Sequence, residues 1–267
     1  MLPSHRESAG VVTSTARMRL AIQAATDLGQ KRARNEDTYA SWESDDPAEV
    51  ARRGVLLVLA DGMGGARSGD VASKLAAETV VRSYREGKSP DPLADLGAAV
   101  AAANQAIYAE NSRQDELPGM ATTVTAAVVR GAEVYVAHVG DSRAYLARAG
   151  RLEQLTEDHS LVARLVAEGQ LTSDEARLDT RRNLLTRSVG LAANVPIDAR
   201  RVQWALQPGD TLLLCSDGLH GLVHDRDLLP ILGHKELERV ATELIQMANG
   251  AGGSDNITVI VARVLPD

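Results

Sequence analysis

Residues 55–62 read VLLVLADG, an unbroken apolar run that ends in Asp61 and a glycine. A short continuous apolar run that stops at turn-forming residues is typical of a β-strand buried on both faces. The same pattern returns before Asp141 and before Asp217, each of which follows an apolar run and precedes Ser or Gly. The sequence therefore predicts three buried strands that each deliver an aspartate to one end.

A fourth aspartate, Asp255, stands just before an apolar strand predicted for residues 257–264. Carboxylates gathered at one point repel one another, and a divalent cation relieves that repulsion. Ligands that are all oxygen favour Mg²⁺ or Mn²⁺. Asp-Gly is also a common hairpin turn without any chemistry, and this interpretation is favoured for any one pair taken alone. The four positions together, with the motifs below, favour a metal-dependent hydrolase.

Composition narrows the classes of partner. The 267 residues suit one large domain or two small ones, and the formal net charge is −7. This acidic surplus argues against nucleic acid or an anionic membrane as the partner. Only 3% of the residues are aromatic and none is Phe, so the chain has few rings on which bases could stack.

The single cysteine, Cys215, lies inside an apolar run and is predicted to be a small buried hydrophobe. Without a second cysteine the chain forms no internal disulfide, which fits a reducing compartment and predicts a cytoplasmic protein. No apolar stretch reaches membrane-spanning length, and the first residues lack the apolar centre of a signal peptide. Residues 1–18 are predicted to be a flexible extension and residues 19–267 a single domain.

Apolar periodicity predicts strands in consecutive runs and helices in pairs. The predicted strands cover residues 20–26, 38–42, 55–60, 122–129, 133–139, 143–148, 198–204, 211–215 and 257–264, and the predicted helices cover residues 70–85, 93–111, 158–168 and 235–249. Residues 43–53 are predicted to be a charged surface connection. This order favours antiparallel sheets with helices packed outside them, which is an α+β fold.

The polar stretch of residues 169–194 is predicted to be a mobile flap. It is dense in arginine, with Arg177, Arg181, Arg182 and Arg187. A solvated face is the favoured interpretation of these side chains as a group, and contact with a phosphorylated partner is the alternative.

Two loops carry further polar motifs. Residues 32–37 place arginines beside two carboxylates, and arginine can bind a phosphate bidentately. For this loop alone, an ordinary surface ion pair is the favoured interpretation. Residues 61–65 read DGMGG, in which the glycines would let a backbone carbonyl approach a metal. The loop is no dinucleotide fingerprint, because Arg67 stands where a glycine is required.

Taken together, these motifs resemble those of the bacterial protein phosphatase 2C (PPM) family of metal-dependent serine/threonine phosphatases. The matching stretches, in the family's order, are residues 26–29, Arg32 with residues 35–37, and residues 61–65, 120–123, 139–143, 158–159, 215–218 and 253–258. Each motif is modest alone, but an ordered set that spans nearly the whole chain is highly specific.

The resemblance implies an αββα sandwich, in which two antiparallel sheets are flanked by helix pairs, and a site for two Mg²⁺ or Mn²⁺ ions. By motif position, Asp61 would bridge both ions. The other implied ligands are Asp217 and Asp255 for one ion, and the Gly62 carbonyl with Glu36, directly or through water, for the other. Three further residues match supporting positions: Arg32 binds phosphate, Asp37 orients metal-bound water as an outer-sphere residue, and Asn256 braces the Asp255 loop.

The implied reaction is hydrolysis of phosphoserine and phosphothreonine in proteins by a metal-activated water, without a phosphoenzyme. The implied partners are phosphorylated proteins, namely serine/threonine kinases and their substrates, and we expect a monomer. Two alternatives stay open: a pseudophosphatase that binds phosphoproteins without turnover, and a hydrolase of small phosphoesters.

Three positions depart from the family pattern. Met63 replaces a histidine of some members, so a general acid is absent there. A third ion would use Asp115 or Glu116 with Asp217, or has no ligand here. Ala121 stands where the motif has glycine. Two further polar residues, Asp141 and His159, are predicted to be structural, in a turn and in packing or hydrogen bonding.

Overall fold

Two antiparallel sheets packed face to face form the centre of the computed structural model, which describes residues 19–63, 69–113 and 119–265. The strands are β1 (Arg19–Asp27), β2 (Asp37–Trp42), β3 (Val55–Met63), β4 (Ala121–Thr122), β5 (Val124–Arg130), β6 (Glu133–Val139), β7 (Arg143–Arg148), β8 (Arg151–Gln154), β9 (Asp198–Arg201), β10 (Thr211–Cys215) and β11 (Ile257–Leu265). The helices are α1 (Pro47–Arg53), α2 (Gly69–Glu86), α3 (Pro92–Asn111), α4 (Leu161–Ala167), α5 (Ser173–Leu178), α6 (Asp217–His220), α7 (Asp225–Leu232) and α8 (Leu237–Gly250).

One sheet has the strand order β1-β11-β10-β7-β8, and the other has the order β2-β3-β5-β6-β9, with β4 paired to β3. Helices α2 and α3 cover the outer face of the second sheet, and α7 and α8 cover the outer face of the first. The four layers are therefore helix pair, sheet, sheet and helix pair. The predicted αββα sandwich of α+β class is confirmed.

The layers explain why the apolar runs are continuous. In β3, Val58 faces the helix-covered core and Leu57 faces the core between the sheets. In β10, Leu213 faces α7 and α8, and Leu214 faces the core between the sheets. Because successive strand residues point to opposite faces, a strand that is covered on both faces needs apolar residues at every position. Cys215 is fully buried in the same way, as predicted.

Residues 43–53 lie mostly at the surface, as predicted, but their C-terminal part forms helix α1, which was not predicted. Asp46 caps this helix, since its carboxylate accepts a hydrogen bond from the Ala48 amide at 2.9 Å, and proline follows at the first helical position. The last residue, Arg53, is buried and donates to Asp95 Oδ2 at 2.7 Å. Its guanidinium also lies over the Tyr84 ring, 4.4 Å from the centroid. The connection therefore ties α1 to α2 and α3.

Other predicted bounds shift where side chains cap or interrupt an element. The helix predicted from residue 158 begins at Leu161, because Ser160 caps it by accepting from the Ala163 amide. The strand predicted for 122–129 is divided at Thr123 into β4 and β5. The strand predicted for 198–204 ends at Arg201.

Several short elements were not predicted. These are β8, α5, α6 and α7. Helix α5 lies inside the stretch predicted to be a flap, where Thr172 and Glu175 form a reciprocal capping box. Residues 1–18, the Gly64-Gly65 part of the glycine loop, Asp115 and Glu116 lie outside the described residues. Within the described ranges, no helix is long and apolar enough to cross a membrane.

Candidate metal centre

Four of the predicted aspartates meet at one end of the sandwich. Asp37 and Asp61 are directly opposite each other in the pairing of β2 with β3. Asp61 does not sit at a chain corner, because β3 continues to Met63 through its pairing with β4. Asp217 begins helix α6 directly after β10, and Asp255 lies just before β11. The two sheets thus each contribute carboxylates to the same end.

A serine joins the two sheets at this point. Ser216 Oγ donates to Asp37 Oδ2 at 2.8 Å and accepts a hydrogen bond from the Thr258 amide at 2.9 Å. The other oxygen of the same carboxylate, Asp37 Oδ1, is buried and has no hydrogen-bond partner among the described residues. Sequence reasoning missed this role of Ser216. The only available signal was a polar residue at the end of the apolar run before Asp217.

The pKa values of Asp37, Asp61 and Asp217 are raised. Burial is the largest cause for Asp61 and Asp217, whose pKa values lie well above the ordinary range, and neighbouring carboxylates raise them further. Burial also raises the pKa of Asp37 to about 6, against hydrogen bonds from Thr258 and Ser216 that lower it. The cluster therefore holds more negative charge than its surroundings stabilise.

Asp141 belongs to the same electrostatic cluster. It does lie in the tight connection between β6 and β7, as predicted, but it is buried and its charge raises the pKa of Asp217. Burial, followed by the charge of Asp158, raises the pKa of Asp141 to about 7. The sequence motif predicted the turn, but it did not show that the carboxylate faces the other aspartates.

His159 contacts the turn that carries Asp141 through hydrogen bonds and ring packing. Its Nδ1 accepts a hydrogen bond from the Gly140 amide at 3.1 Å, and its Nε2 lies 3.0 Å from Asp198 Oδ2. The ring also packs against His138, with centroids 4.9 Å apart. These contacts fit the packing and hydrogen-bonding role expected of His159.

Arg32 is the cation that reaches the cluster. Its Nη2 donates to Asp255 Oδ2 at 2.5 Å, while 47% of the side chain remains exposed. The hydrogen bond to Asp255 raises the pKa of Arg32, and the charges of Asp217 and Asp61 act in the same direction. Arg32 thus lies at the solvent-facing edge of the carboxylate cluster, where its guanidinium contacts Asp255 and also remains accessible to solvent.

Asn256 connects the first loop of the site to the last. Its Oδ1 accepts a hydrogen bond from the Glu36 amide at 2.8 Å, and its Nδ2 donates to the Leu28 and Arg34 carbonyls. Gly29 allows this close approach, because its φ is +76° and a Cβ there would lie 2.1 Å from the Asp255 carbonyl oxygen. Asn256 therefore fixes the loop that carries Arg32 and Glu36 against the Asp255 loop.

Gly62 is equally enclosed. Its amide donates to the Glu36 carbonyl at 3.1 Å, and a Cβ at this position would lie 2.0 Å from the Gly69 carbonyl oxygen. The Glu36 carboxyl group lies next to Gly69, so Gly62 and Glu36 are neighbours, as the predicted ligand set requires. Only a residue without a side chain fits between these backbones.

The residues present fit Mg²⁺ or Mn²⁺ in donor chemistry and charge. All the candidate donors are oxygen atoms, and the carboxyl groups of Asp61 and Asp217 have raised pKa values. Asp37 Oδ1 is buried and has no partner in the part of the chain that the structure describes. Within the described ranges, no three carboxylate, imidazole or thiolate groups are gathered as a ready ligand cluster. Water and backbone oxygen atoms would therefore have to complete the coordination of an ion.

A prediction for pH follows from the raised pKa values. A carboxyl group with a raised folded-state pKa stabilises the fold when protonated, and this contribution is lost as pH rises through that pKa. The metal-free protein should therefore become more stable as pH falls from about 7.5 to about 6.5, across the pKa of about 7 of Asp141, by at most about 1.4 kcal/mol per pH unit for each group that gains its proton there. Thermal unfolding in EDTA would measure the trend.

The lower end of this window is set by two buried histidines. Burial lowers the pKa of His138 to about 4 and that of His220 to about 3, so both oppose folding below about pH 6.5, where histidine in the unfolded chain gains its proton. Saturating Mn²⁺ is the control, since bound ions would keep the carboxylates charged and remove the trend. Constant or falling stability in EDTA as the pH is lowered from about 7.5 to about 6.5 would contradict the assignment.

A cleft of about 780 Å³ opens beside the carboxylates. Its inner wall includes Asp141, Asp217 and Asp255, and its outer wall is formed by α4, α5 and the segment of residues 182–187. The stretch predicted to be a flap is fastened to the core by backbone hydrogen bonds, from Leu161 to Leu184 and from Thr186 to His159, both 2.7 Å. The cleft therefore lies between the core on one side and α4 with the flap on the other, and it leads to the carboxylate cluster.

Comparisons with known proteins agree with this geometry. The sequence model of the family described as protein phosphatase 2C matches residues 30–257. The serine/threonine protein phosphatase PstP of Mycobacterium tuberculosis is 40% identical over 247 residues, which cover 92% of this chain but 45% of that protein. The serine/threonine phosphatase stp of Listeria monocytogenes is 37% identical over 243 residues, which cover 89% of this chain and 93% of the relative. This chain therefore spans less than half the length of the mycobacterial relative.

Solved structures show the same similarity. The catalytic domain of the serine/threonine protein phosphatase PstP, in complex with two manganese ions, superposes with a TM-score of 0.79 at 38% identity. That alignment covers 93% of this chain and 100% of the solved one.

Proposed function

This chain belongs to the protein phosphatase 2C family, and from that premise we propose that it hydrolyses phosphoserine and phosphothreonine in proteins with Mg²⁺ or Mn²⁺. The observation that carries the proposal is the cluster of carboxyl groups with raised pKa values, Asp37, Asp61 and Asp217, with a partly exposed arginine at its rim. A phosphorylated side chain is an anion that needs both a divalent cation and a guanidinium to bind there.

The proposed ligands of two ions are Asp61, the Gly62 carbonyl, Glu36, Asp217 and Asp255. When bound, the ions would neutralise the phosphoryl oxygens and lower the pKa of a water molecule to near neutrality. A third ion, with Asp115 or Glu116 and Asp217, stays a prediction, and the first two of these residues lie outside the described ranges.

Asp37 is proposed to orient the attacking water. Ser216 fixes one of its carboxylate oxygens, and the unpartnered Oδ1 is left to accept a hydrogen bond from that water. Arg32 would turn its guanidinium from Asp255 to the phosphoryl oxygens. Because Met63 offers no proton, the leaving alkoxide would take its proton from water.

We expect no phosphoenzyme, because the proposed nucleophile is a metal-activated water, and because the two nucleophilic side chains directly before Asp217 are not placed to attack phosphorus. Cys215 is fully buried in β10 and burial raises the pKa of its thiol. Ser216 is also buried, and its hydroxyl already donates to Asp37. A side-chain nucleophile would need to face the cleft.

The proposed partners are phosphorylated proteins, namely serine/threonine kinases and their substrates, and the proposed state is a cytoplasmic monomer. The relatives are serine/threonine phosphatases, which supports the substrate class. The acidic net charge of −7 argues against nucleic acid as a partner.

Metal dependence tests the proposal. Hydrolysis of p-nitrophenyl phosphate and of a phosphothreonine peptide should be rapid with Mn²⁺ or Mg²⁺ and should fall to background in EDTA. Folded protein that binds the peptide but releases no phosphate with either metal would support a pseudophosphatase instead. Turnover of nucleotides well above that of phosphopeptides would favour the small-phosphoester hydrolase.

A further inference from the structure

The hydrogen bonding of strand β3 is irregular at Asp61. Strand β3 pairs with β5 and with β4 in one continuous register, which places Asp61 opposite Thr123. Residues that face each other in an antiparallel pair normally exchange two backbone hydrogen bonds or none. Here the Thr123 amide donates to the Asp61 carbonyl at 2.8 Å, but the Asp61 amide donates to the Thr123 side-chain oxygen, Oγ1, at 3.0 Å. A hydroxyl group thus replaces the backbone acceptor at the aspartate that is central to the metal centre.

The Thr123 side chain is fixed in one orientation. It is fully buried, and its methyl group lies against Gly140, where a Cβ would come within 2.5 Å of Thr123 Cγ2. The φ of Gly140 is +116°, which also favours glycine at this close approach. With the methyl group held there, the hydroxyl group can only face the Asp61 amide and its second partner, Ser142.

Ser142 extends this contact to another part of the metal centre. Its Oγ lies 2.8 Å from Thr123 Oγ1, and it is fully buried in the turn between β6 and β7. Because the Thr123 oxygen accepts from the Asp61 amide, its own hydrogen is available to Ser142. The same turn carries Asp141, which lies beside Asp217 on the inner wall of the cleft. One buried pair of hydroxyl groups therefore connects the backbone of Asp61 to the turn that carries Asp141.

We propose that Thr123 is a positioning residue, whose hydroxyl group fixes the backbone of Asp61 so that the Asp61 carboxylate faces the other carboxyl groups of the metal centre. This inference rests on the proposed metal-dependent function, because it concerns a carboxylate that would bind the ions. Ligands of a metal have to be held within about 0.5 Å of their working positions, and hydrogen bonds from supporting residues provide that precision. Thr123 would touch neither the ions nor the substrate.

Two substitutions at this position separate the hydroxyl group from the shape of the side chain. Valine has nearly the shape of threonine but no acceptor, so Thr123→Val would leave the Asp61 amide without its partner. Serine keeps the oxygen atom and loses only the methyl group. A purely structural role of the packed methyl group would make serine the more damaging change, whereas a role of the hydroxyl group makes valine the more damaging one.

Thr125→Val is the matched control. Thr125 is also fully buried, and its hydroxyl group lies 3.0 Å from the Ser142 carbonyl oxygen and 2.9 Å from His138 Nδ1. Within the described ranges, its side chain makes no hydrogen bond to β3. The control therefore removes a hydroxyl group from the same buried region, two residues away, and leaves the acceptor of the Asp61 amide in place.

Calorimetric titration with Mn²⁺ is the first measurement. Thr123→Val should bind Mn²⁺ roughly ten- to a hundredfold more weakly than the wild type, the usual effect of removing a residue that supports a metal ligand. Thr123→Ser should restore most of the affinity, and Thr125→Val should keep it even though its unfolding temperature falls. Turnover of p-nitrophenyl phosphate by Thr123→Val should recover as Mn²⁺ is raised to saturation, because the ligands themselves are intact.

Amide hydrogen exchange in EDTA tests the same contact without metal. The Asp61 amide should exchange faster in Thr123→Val than in the wild type or in Thr125→Val, because only the first variant removes its acceptor. Ser142→Ala provides a milder test if Thr123→Val does not fold, since it keeps Thr123 and removes the partner that orients its hydroxyl group. Its Asp61 amide should also exchange faster, and its affinity for Mn²⁺ should fall.

Three results would overturn the inference. They are an Mn²⁺ affinity within about twofold of the wild type in Thr123→Val, or in Ser142→Ala if the valine variant does not fold, an equal loss of affinity in Thr125→Val, and a larger loss in Thr123→Ser than in Thr123→Val. A wild-type protein that binds Mn²⁺ but hydrolyses no phosphoester would instead overturn the phosphatase proposal. In that case the affinity and exchange measurements would still decide the role of Thr123.

Discussion

Asp217→Asn is expected to reduce kcat by roughly a thousandfold or more, and Asp61→Asn to do the same, while both variants stay folded. Asparagine keeps the shape of the side chain but removes the negative charge that an ion needs. Asp61 would bridge both ions and Asp217 would hold one, so each loss should also weaken Mn²⁺ binding. Isothermal titration with Mn²⁺ and phosphopeptide kinetics would measure the two effects separately.

The same substitutions should raise the stability of the metal-free protein. Burial and neighbouring carboxylates raise the pKa values of Asp61 and Asp217, which means that their charged forms oppose folding at neutral pH. A neutral isostere removes that opposition. The unfolding temperature in EDTA at pH 8 should therefore be higher for Asp217→Asn than for the wild type, although the variant is inactive.

Asp210→Asn is the contrasting control. Asp210 is also buried, but it is paired with Arg148 and accepts a hydrogen bond from the Gln207 amide at 2.7 Å. Removing its charge leaves a cation without its partner, so this variant should lose about 3 kcal/mol of stability and keep its turnover at temperatures where it is folded. Wild-type kcat in Asp217→Asn, or lower stability of that variant in EDTA, would contradict the metal assignment.

Arg32→Ala is expected to raise KM for phosphopeptides by roughly ten- to a hundredfold, the usual range for a lost hydrogen bond to a charged group. Its guanidinium is the exposed cation that contacts the carboxylate cluster, through Asp255. Phosphopeptide binding at fixed Mn²⁺ would test the loss directly. A KM within twofold of the wild type would show that Arg32 does not bind the substrate phosphate.

A second consequence concerns the metal. Arg32 partly neutralises Asp255, so its removal should leave the cluster more negative and should tighten Mn²⁺ binding when no phosphate is present. Arg34→Ala is the matched control, because this exposed arginine lies in the same loop and contacts Asn256 only through its backbone carbonyl. It should change neither KM nor Mn²⁺ affinity. Weaker Mn²⁺ binding in Arg32→Ala would show that Arg32 supports the ion site and does not compete with it.

The strands were predictable because burial on both faces leaves a strong local pattern. The bounds of β6, β7 and β10 agree with those predicted, and β3 extends beyond its apolar run only because β4 pairs with Gly62 and Met63. The short helices were not predictable in the same way. Helix α6 has four residues and α5 has six, too few for an apolar period. Helix α6 also lacks a side-chain cap, and the capping box of α5 is a short signal without an apolar run behind it.

By itself, the sequence determined the fold class and indicated which aspartates would gather at one end of the sandwich. Both follow from local chemistry: apolar runs that must be buried, and carboxylates or glycines that interrupt them at fixed places. Only the tertiary structure decided which charged groups lie close enough to shift one another's pKa values, and which side chains are already engaged in hydrogen bonds or ion pairs. Asp141 adds its charge to the carboxylate cluster and Ser216 holds Asp37 by a hydrogen bond. Among the residues that the structure describes, the Arg182 guanidinium has no hydrogen bond or ion pair, whereas that of Arg181 binds Asp179. Such relations depend on contacts between residues far apart in the chain or on the direction of a side chain, and neither leaves a periodic signal in the sequence.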